Sequence, residues 1–296
     1  MSNETNPKPA PLVKWVGGKR QLQDRILPVL TKDTDFSKAT YFEPFFGGGA
    51  MLFALQPDKA VFSDLNVGLV NMYATVRDMP NEFVNALTAY ESRYNHLNAQ
   101  EQKDFYLTER SIFNTESRSG LQMAARFVFL NKAGFNGMYR ENASGGFNIP
   151  FGKRRVISLG SPENVLAVSR ALAKTQMFTQ DYKETVQSAV AGDVVYFDPP
   201  YAPLTATSAF TDYLADGFGP EDQEKLKDLA LELTKKEVRV VISNSSAELI
   251  RELYSGFEIE DLDATRAISA STAGRTPVTE LLINNFKLLG ASGNRH

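Results

Sequence analysis

The chain has 296 residues, of which 43% are apolar, with a net charge of −3 and no cysteine. That length and composition suit one large or two ordinary domains around a proper core, and the missing thiol excludes disulfides, thiolate metal sites and cysteine nucleophiles. No apolar run approaches a bilayer span. The polar start, residues 1–11, lacks the apolar stretch of a signal peptide, so a disordered tail and a cytoplasmic protein are expected.

The ordered pattern opens with a loop, Lys14-Trp15-Val16-Gly17-Gly18-Lys19, that leads into a helix through Leu22, Ile26, Leu27 and Leu30. Residues 41–46 predict a short strand breaking into Gly47-Gly48-Gly49, with a helix starting at Ala50. A second strand at 60–63 ends at Asp64, and Asn66 suits the N-cap of the next helix. From Asn66 to about Leu130 apolar residues recur at three- and four-residue spacings, which predicts helices and no strand. Residues 131–152 shift to Gly, Asn and aromatics, with turn signals at Asn136-Gly137 and Ser144-Gly145-Gly146 that predict a hairpin or an ordered loop. Beyond Pro162 strands and helices alternate again: helix to about 173, strand 176–179, helix 182–190, strand 194–197, amphipathic helix 220–236, strand 238–243, helix 246–253, and closing strands at 257–262 and 280–286. Alternation at both ends with helices between predicts an α/β fold, a doubly wound sheet carrying an inserted helical domain.

Four clusters carry chemistry. Asp198-Pro199-Pro200-Tyr201 directly follows the buried-strand run 194–197. Paired prolines stop the hydrogen-bond ladder at once, so the strand ends by presenting a carboxylate and an aromatic ring at the sheet edge where ligands bind. Asp198 and the Pro199 carbonyl are two acceptors suited to the hydrogens of a nucleobase amine. They would localise its lone pair for attack on a sulfonium methyl and meet the positive charge that develops. Tyr201 can stack on the base. Gly47 and Gly49 permit close ligand approach, and Asp64 stands where ribose hydroxyls are held, although the spacing is not that of a dinucleotide fingerprint. Trp15 and the lysines at 14 and 19 suit a methionine or adenine moiety and a carboxylate, or equally a core anchor with surface charges. The loop 131–153 interleaves aromatic, amide and arginine groups suited to base edges, with Arg140 matched to guanine and Phe135 to a wedge in the stack. Between Ser117 and Gly160 seven cations face only Glu141, a net +6 that suits a phosphate backbone.

Five stretches occur in the order found in DNA adenine methyltransferases of the Dam type: 14–19, Glu43-Pro44-Phe45-Phe46-Gly47-Gly48-Gly49, Phe135-Asn136-Gly137-Met138-Tyr139-Arg140, Asn148-Ile149-Pro150-Phe151-Gly152-Lys153, and 198–204. Over about residues 12–286 the chain resembles that family, and closely the methylases of GATC-specific restriction-modification systems, including the stretch 205–211. The resemblance implies a Rossmann-like, mostly parallel methyltransferase sheet. It implies S-adenosylmethionine as cofactor, bound by Trp15, Lys19, Glu43, Phe45, Gly47, Gly49, Asp64 and Asp198, with no metal. It further implies double-stranded DNA as partner and a flipped adenine at Asp198, Pro199 and Tyr201, with a role beside a cognate restriction endonuclease and a housekeeping role both open. DNA contacts fall to Lys14, Phe135, Asn136, Met138, Arg140, Pro150, Lys153, Arg154 and Arg155, while the sequence leaves open the conformation of the 266–275 loop, whose Arg266 and Arg275 are of a type that binds phosphate. Phe135 stands where the family commonly has Tyr, and Lys153-Arg154-Arg155 where it has Arg-Tyr-Lys. The implied division is a catalytic domain of residues 12–66 and 161–296 and a target-recognition domain of residues 67–160. Methylation of the cytosine exocyclic amine, or a DNA-binding regulator without turnover, are the alternatives.

Overall fold

The computed structural model describes residues 7–204, 218–264 and 278–292. Seven strands form one sheet: β1 (Tyr41–Glu43), β2 (Ala60–Ser63), β3 (Thr175–Phe178), β4 (Val194–Phe197), β5 (Arg239–Ser245), β6 (Glu258–Ala264) and β7 (Val278–Asn284), in the order β3-β2-β1-β4-β5-β7-β6. β1 runs parallel to β2 and to β4, and β4 parallel to β5, while β7 is antiparallel to both β5 and β6. The central strands are buried on both faces, which explains their unbroken apolar runs. Strand order reverses between β1 and β4, where Phe42 is level with Val195. Such a switch point opens a crevice beyond the carboxyl ends of the two strands.

The chain forms two compact units. One contains the residues up to Arg20, Phe46–Gln56 and Ser63–Gln180; the other contains Gln21–Phe45, Pro57–Phe62 and the chain from Asp181. In the first unit α2 (Ala50–Leu55) precedes four successive helices, α3 (Val67–Asp78), α4 (Pro80–His96), α5 (Ala99–Thr115) and α6 (Leu121–Ala133), and α7 (Pro162–Leu172) comes after them. Asn66 caps α3, its side chain accepting the Leu69 N–H at 2.9 Å, and Asn98 with Glu101 forms a capping box on α5. Phe129 of α6 lies among the rings of Tyr90, Tyr94, Phe105 and Tyr106, the centre of this unit's core. Residues 131–152 form an ordered loop closed by two isolated bridges, Gly134 to Phe151 and Glu141 to Phe147. Ala10 exchanges two hydrogen bonds with Asn164 of α7, and residues 1–6 lie outside the described ones.

In the second unit α1 (Gln23–Thr31), α8 (Tyr182–Thr185), α9 (Pro220–Lys235), α10 (Glu248–Leu253) and α11 (Phe286–Ser292) accompany the strands. Val195, Phe197, Val240, Ile242, Leu281 and Ile283 pack with Leu226, Ala230 and Leu233 of α9, each of these side chains larger than alanine contributing roughly 1.5–3 kcal/mol. Two predicted elements differ. The helix expected over 182–190 stops at Thr185 and continues as turns, and the strand expected to reach Phe286 ends at Asn284, with α11 beginning at Phe286. Among the described residues no helix is long and apolar enough to cross a membrane.

Candidate functional site

In the second unit, β4 delivers Asp198 to the carboxyl end of the sheet, beside the β1 end that carries buried Glu43. The turn after Asp198 is fixed from three directions. Gln223 of α9 donates to the Pro200 carbonyl at 3.0 Å, and the Asn244 amide of β5 accepts the Ala202 N–H at 3.2 Å while donating to Gln223 Oε1 at 3.0 Å. Ser245 Oγ donates to the Ala202 carbonyl at 2.6 Å. The Tyr201 hydroxyl donates to Glu280 Oε2 of β7 at 2.7 Å, so its ring is held at its far end. These bonds engage the carbonyls on either side of Tyr201 and leave that of Pro199 out of the network. Burial pushes the hydroxyls of Tyr41, Tyr196 and Tyr201 well above the ordinary tyrosine value, and the charges of Glu43, Asp198 and Glu280 raise them further. The three carboxylates converge on Tyr196, which makes this corner a focus of negative potential. Phe45 stacks on Tyr182 with ring centroids 5.2 Å apart and meets Phe197 edge-on.

In the first unit, Trp15 stacks on Tyr139 at 5.1 Å and on Phe127 at 6.2 Å. Gly47, at φ +52°, closes over the indole so tightly that a Cβ there would stand 2.8 Å from Trp15 Cδ1. Gly49 lies against Phe46 and Phe53. The Asp64 carboxylate accepts the Gly47 N–H at 3.0 Å on one oxygen and the Asn66 N–H at 2.9 Å on the other. Burial raises this carboxyl above the usual carboxylate value, against the pull of those two bonds. Each oxygen keeps a lone pair for a ligand hydroxyl. Lys19 is buried, with its ammonium donating to the Gly17 carbonyl at 2.6 Å. Two neighbours of Asp64 escaped the sequence reasoning: Leu65 is 72% exposed and Phe178, whose carbonyl accepts the Asp64 N–H at 3.3 Å, is 40% exposed. An exposed leucine directly after a strand-end acid was the available signal.

The loop residues gather on the same unit. Phe135 is 53% exposed and its N–H bonds the carbonyl of exposed Pro150 at 2.9 Å. Asn136 adopts φ +55°, and its carbonyl accepts from the Lys14 ammonium at 2.9 Å. Arg140 is exposed and its Nε donates to Asn148 Oδ1 at 2.9 Å, a bond that uses neither of the two terminal nitrogens of its fork. Met138 is half-buried between them, and Lys153, Arg154 and Arg155 are exposed, with Arg155 also bonding the Leu97 carbonyl at 3.0 Å. The basic patch is smaller than its sequence count. Arg126 is half-buried and paired with buried Glu109 at 2.6 Å, where Tyr90 also donates, and Arg118 is paired with Glu141. Neither is a free surface cation, because Arg126 neutralises an acid of α5 and Arg118 one of the 131–152 loop. The stretch 205–211 and the loop 266–275 lie outside the described residues.

A model of the D12 class N6 adenine-specific DNA methyltransferases matches residues 15–268. The chain belongs to that family. This methyltransferase is 38% identical over 281 residues to the type II methyltransferase M1.LlaDCHI of Lactococcus lactis subsp. cremoris, covering 93% of this chain and 95% of the relative. It is 34% identical over 287 residues to the type II methyltransferase M.MjaIII of Methanocaldococcus jannaschii, covering 93% and 99%. With the DNA adenine methylase of Vibrio cholerae it shares 34% identity over 272 residues, covering 91% and 94%. Membership decides for adenine over cytosine and for an enzyme over a silent DNA-binding protein. The Gln223–Asn244 amide pair is what sequence reasoning missed in the adenine methyltransferase's strand-end corner. Its signal was a polar residue on the inward face of α9, in line with Leu226, Ala230 and Leu233.

Proposed function

We propose that the enzyme transfers a methyl group from S-adenosylmethionine to the exocyclic amine of adenine within GATC in double-stranded DNA. The observation that carries this is the Asp198-Pro199 corner, held by Gln223, Asn244, Ser245 and Glu280 at the switch point of the sheet. Asp198 and the Pro199 carbonyl accept the amine hydrogens and keep the nitrogen lone pair localised. Tyr201 supports the extruded base by stacking, worth about 1–3 kcal/mol, and its bond to Glu280 restricts its ring. A dry, prearranged set of acceptors stabilises positive charge as it appears on the nitrogen, which is where such groups act most strongly.

The residues fit the donor. When bound, S-adenosylmethionine supplies a methyl activated by a positively charged sulfur, and the field of Glu43, Asp198 and Glu280 favours a cation. Asp64, already oriented by two main-chain N–H groups, would take ribose hydroxyls, and the glycine turn at Gly47 and Gly49 leaves no side chain in the way. Trp15, Lys19 and Phe45 complete the set, with Leu65 and Phe178 as flanking apolar surfaces. On the DNA side, Phe135 enters the base stack, Arg140 takes a guanine edge, and Met138 and Pro150 contact thymine methyls. Lys14 and Asn136 add base contacts, and Lys153, Arg154 and Arg155 add phosphate contacts. Residues 12–66 and 161–296 thus carry cofactor and chemistry, and residues 67–160 read the site. The compartment is the cytoplasm, and the partner in a restriction-modification pair is an endonuclease of the same specificity.

The test is incubation of the purified enzyme with S-adenosylmethionine and duplexes containing or lacking GATC, followed by mass identification of the modified nucleoside. N6-methyladenine confined to GATC is expected. The same product in both duplexes would overturn the site assignment, and a methylated cytosine would overturn the base.

A further inference from the structure

Asn131, near the end of α6, is 0% exposed, and its side-chain amide bonds only main-chain groups. Oδ1 accepts the Lys14 N–H at 3.0 Å, and Nδ2 donates to the Lys14 carbonyl at 2.9 Å and to the Gly137 carbonyl at 3.1 Å. One amide therefore ties the segment entering Trp15 to the turn that exposes Phe135, across a sequence separation of 117 residues. A buried amide with three main-chain partners is costly to disturb, because each lost bond leaves a desolvated group behind. On the outer side of the same joint the Lys14 ammonium bonds the Asn136 carbonyl at 2.9 Å. Just beyond it Trp15 stacks on Tyr139, the residue between Met138 and Arg140. The joint is thus closed by hydrogen bonds on one side and by ring packing on the other.

We propose that Asn131 is a positioning residue for sequence discrimination, holding Lys14 and the 135–140 turn as one rigid reading head. The inference rests on the proposed base contacts of Lys14, Phe135 and Arg140. Base-edge contacts require groups held to about 0.5 Å, whereas attraction to phosphate tolerates movement. Loosening the clamp therefore erodes the choice of site more than it erodes the attraction for DNA.

The experiment uses the full-length enzyme and compares single-turnover methylation of its cognate duplex with that of a duplex altered at one base pair of the site. Asn131→Asp keeps the acceptor for Lys14 and removes both donations, and Asn131→Ala removes all three bonds. Each is expected to lower the cognate preference by about tenfold, the scale of coupled neighbours, with non-specific DNA affinity little changed. In the Asn131→Ala background, Lys14→Ala is expected to cost little more, since the ammonium has already lost its placement. If melting shows that the Asn131 variants do not fold, Gly137→Ala decides. Gly137 lies at φ +65°, and a Cβ there would stand 3.4 Å from Lys14 Cδ, so the substitution strains the joint at the turn itself while leaving the Asn131 amide in place. Retained preference in the folded Asn131 variants, or in Gly137→Ala where those fail to fold, overturns the proposal, as does simple additivity with Lys14→Ala. If Lys14→Ala and Arg140→Ala themselves leave preference intact, the base-contact reading falls first and takes this inference with it.

Discussion

Asp198 shares its surroundings with Glu43 and Glu280: its charge raises Tyr41, Tyr196 and Tyr201, while Glu43 acts on the first two and Glu280 on the last two. A cation entering this corner meets an environment already arranged for it, which makes the carboxylate's charge matter as much as its hydrogen-bonding capacity. Asp198→Ala is expected to lower single-turnover methylation by at least about a hundredfold, the usual cost of removing one prearranged partner of the transition state. DNA affinity measured by titration should change far less, because the groups proposed to read DNA are elsewhere in the chain. A variant with normal turnover and weakened DNA binding would reverse the assignment. The same corner was legible in sequence because Asp-Pro-Pro-Tyr encodes its own geometry: the prolines cannot continue a strand. Arg126 illustrates the opposite case. Its charge counts toward a surface patch in the sequence, yet its partner is Glu109 on the neighbouring helix α5.

At the scale of elements, the turn proposed as catalytic depends on α9 and β5 meeting through Gln223 and Asn244. Gln223→Leu preserves the inward apolar face of α9 but strands the Pro200 carbonyl and the Asn244 amide. The expected result is a loss of about 1–3 kcal/mol in denaturant-measured stability, together with a fall in kcat that exceeds any change in KM for DNA. A fall in stability alone would reduce the pair to a packing role. Most elements were predictable in kind, and the misplaced boundaries have local causes. Val186 and Ala189 are buried at helical spacing although they lie in successive turns, so periodicity extends α8 beyond its hydrogen bonds. β7 stops because the Asn285 side chain is diverted into the core, accepting the Val240 N–H at 2.9 Å and donating to the Val238 carbonyl at 2.9 Å. No pattern of apolar residues announces an amide that replaces a ladder partner. For the same reason nothing in the residues around Asn131 marks it as a clamp.

Across the molecule's described residues, nine tyrosines have hydroxyls raised above the ordinary value, with burial the leading cause in each. Tyr182, for example, is pushed up to about 12. The fold holds these groups neutral while the unfolded chain ionises them near pH 10, so their contribution to stability is complete below that pH. It is lost as pH rises from there through the folded-state values. Ultraviolet titration should therefore show most tyrosinate appearing together with unfolding, late and steeply. Gradual ionisation near pH 10 in the native state would contradict the burial assigned to these rings. The lone tryptophan, meanwhile, is wedged between the glycine turn and Tyr139. All of the protein's indole emission thus originates from one place, between the loop proposed for cofactor and the loop proposed for DNA. The enzyme is in effect supplied with a native fluorophore: adding either ligand in turn, without label or mutation, should alter that single band, and the order of addition should reveal whether the two loops respond independently.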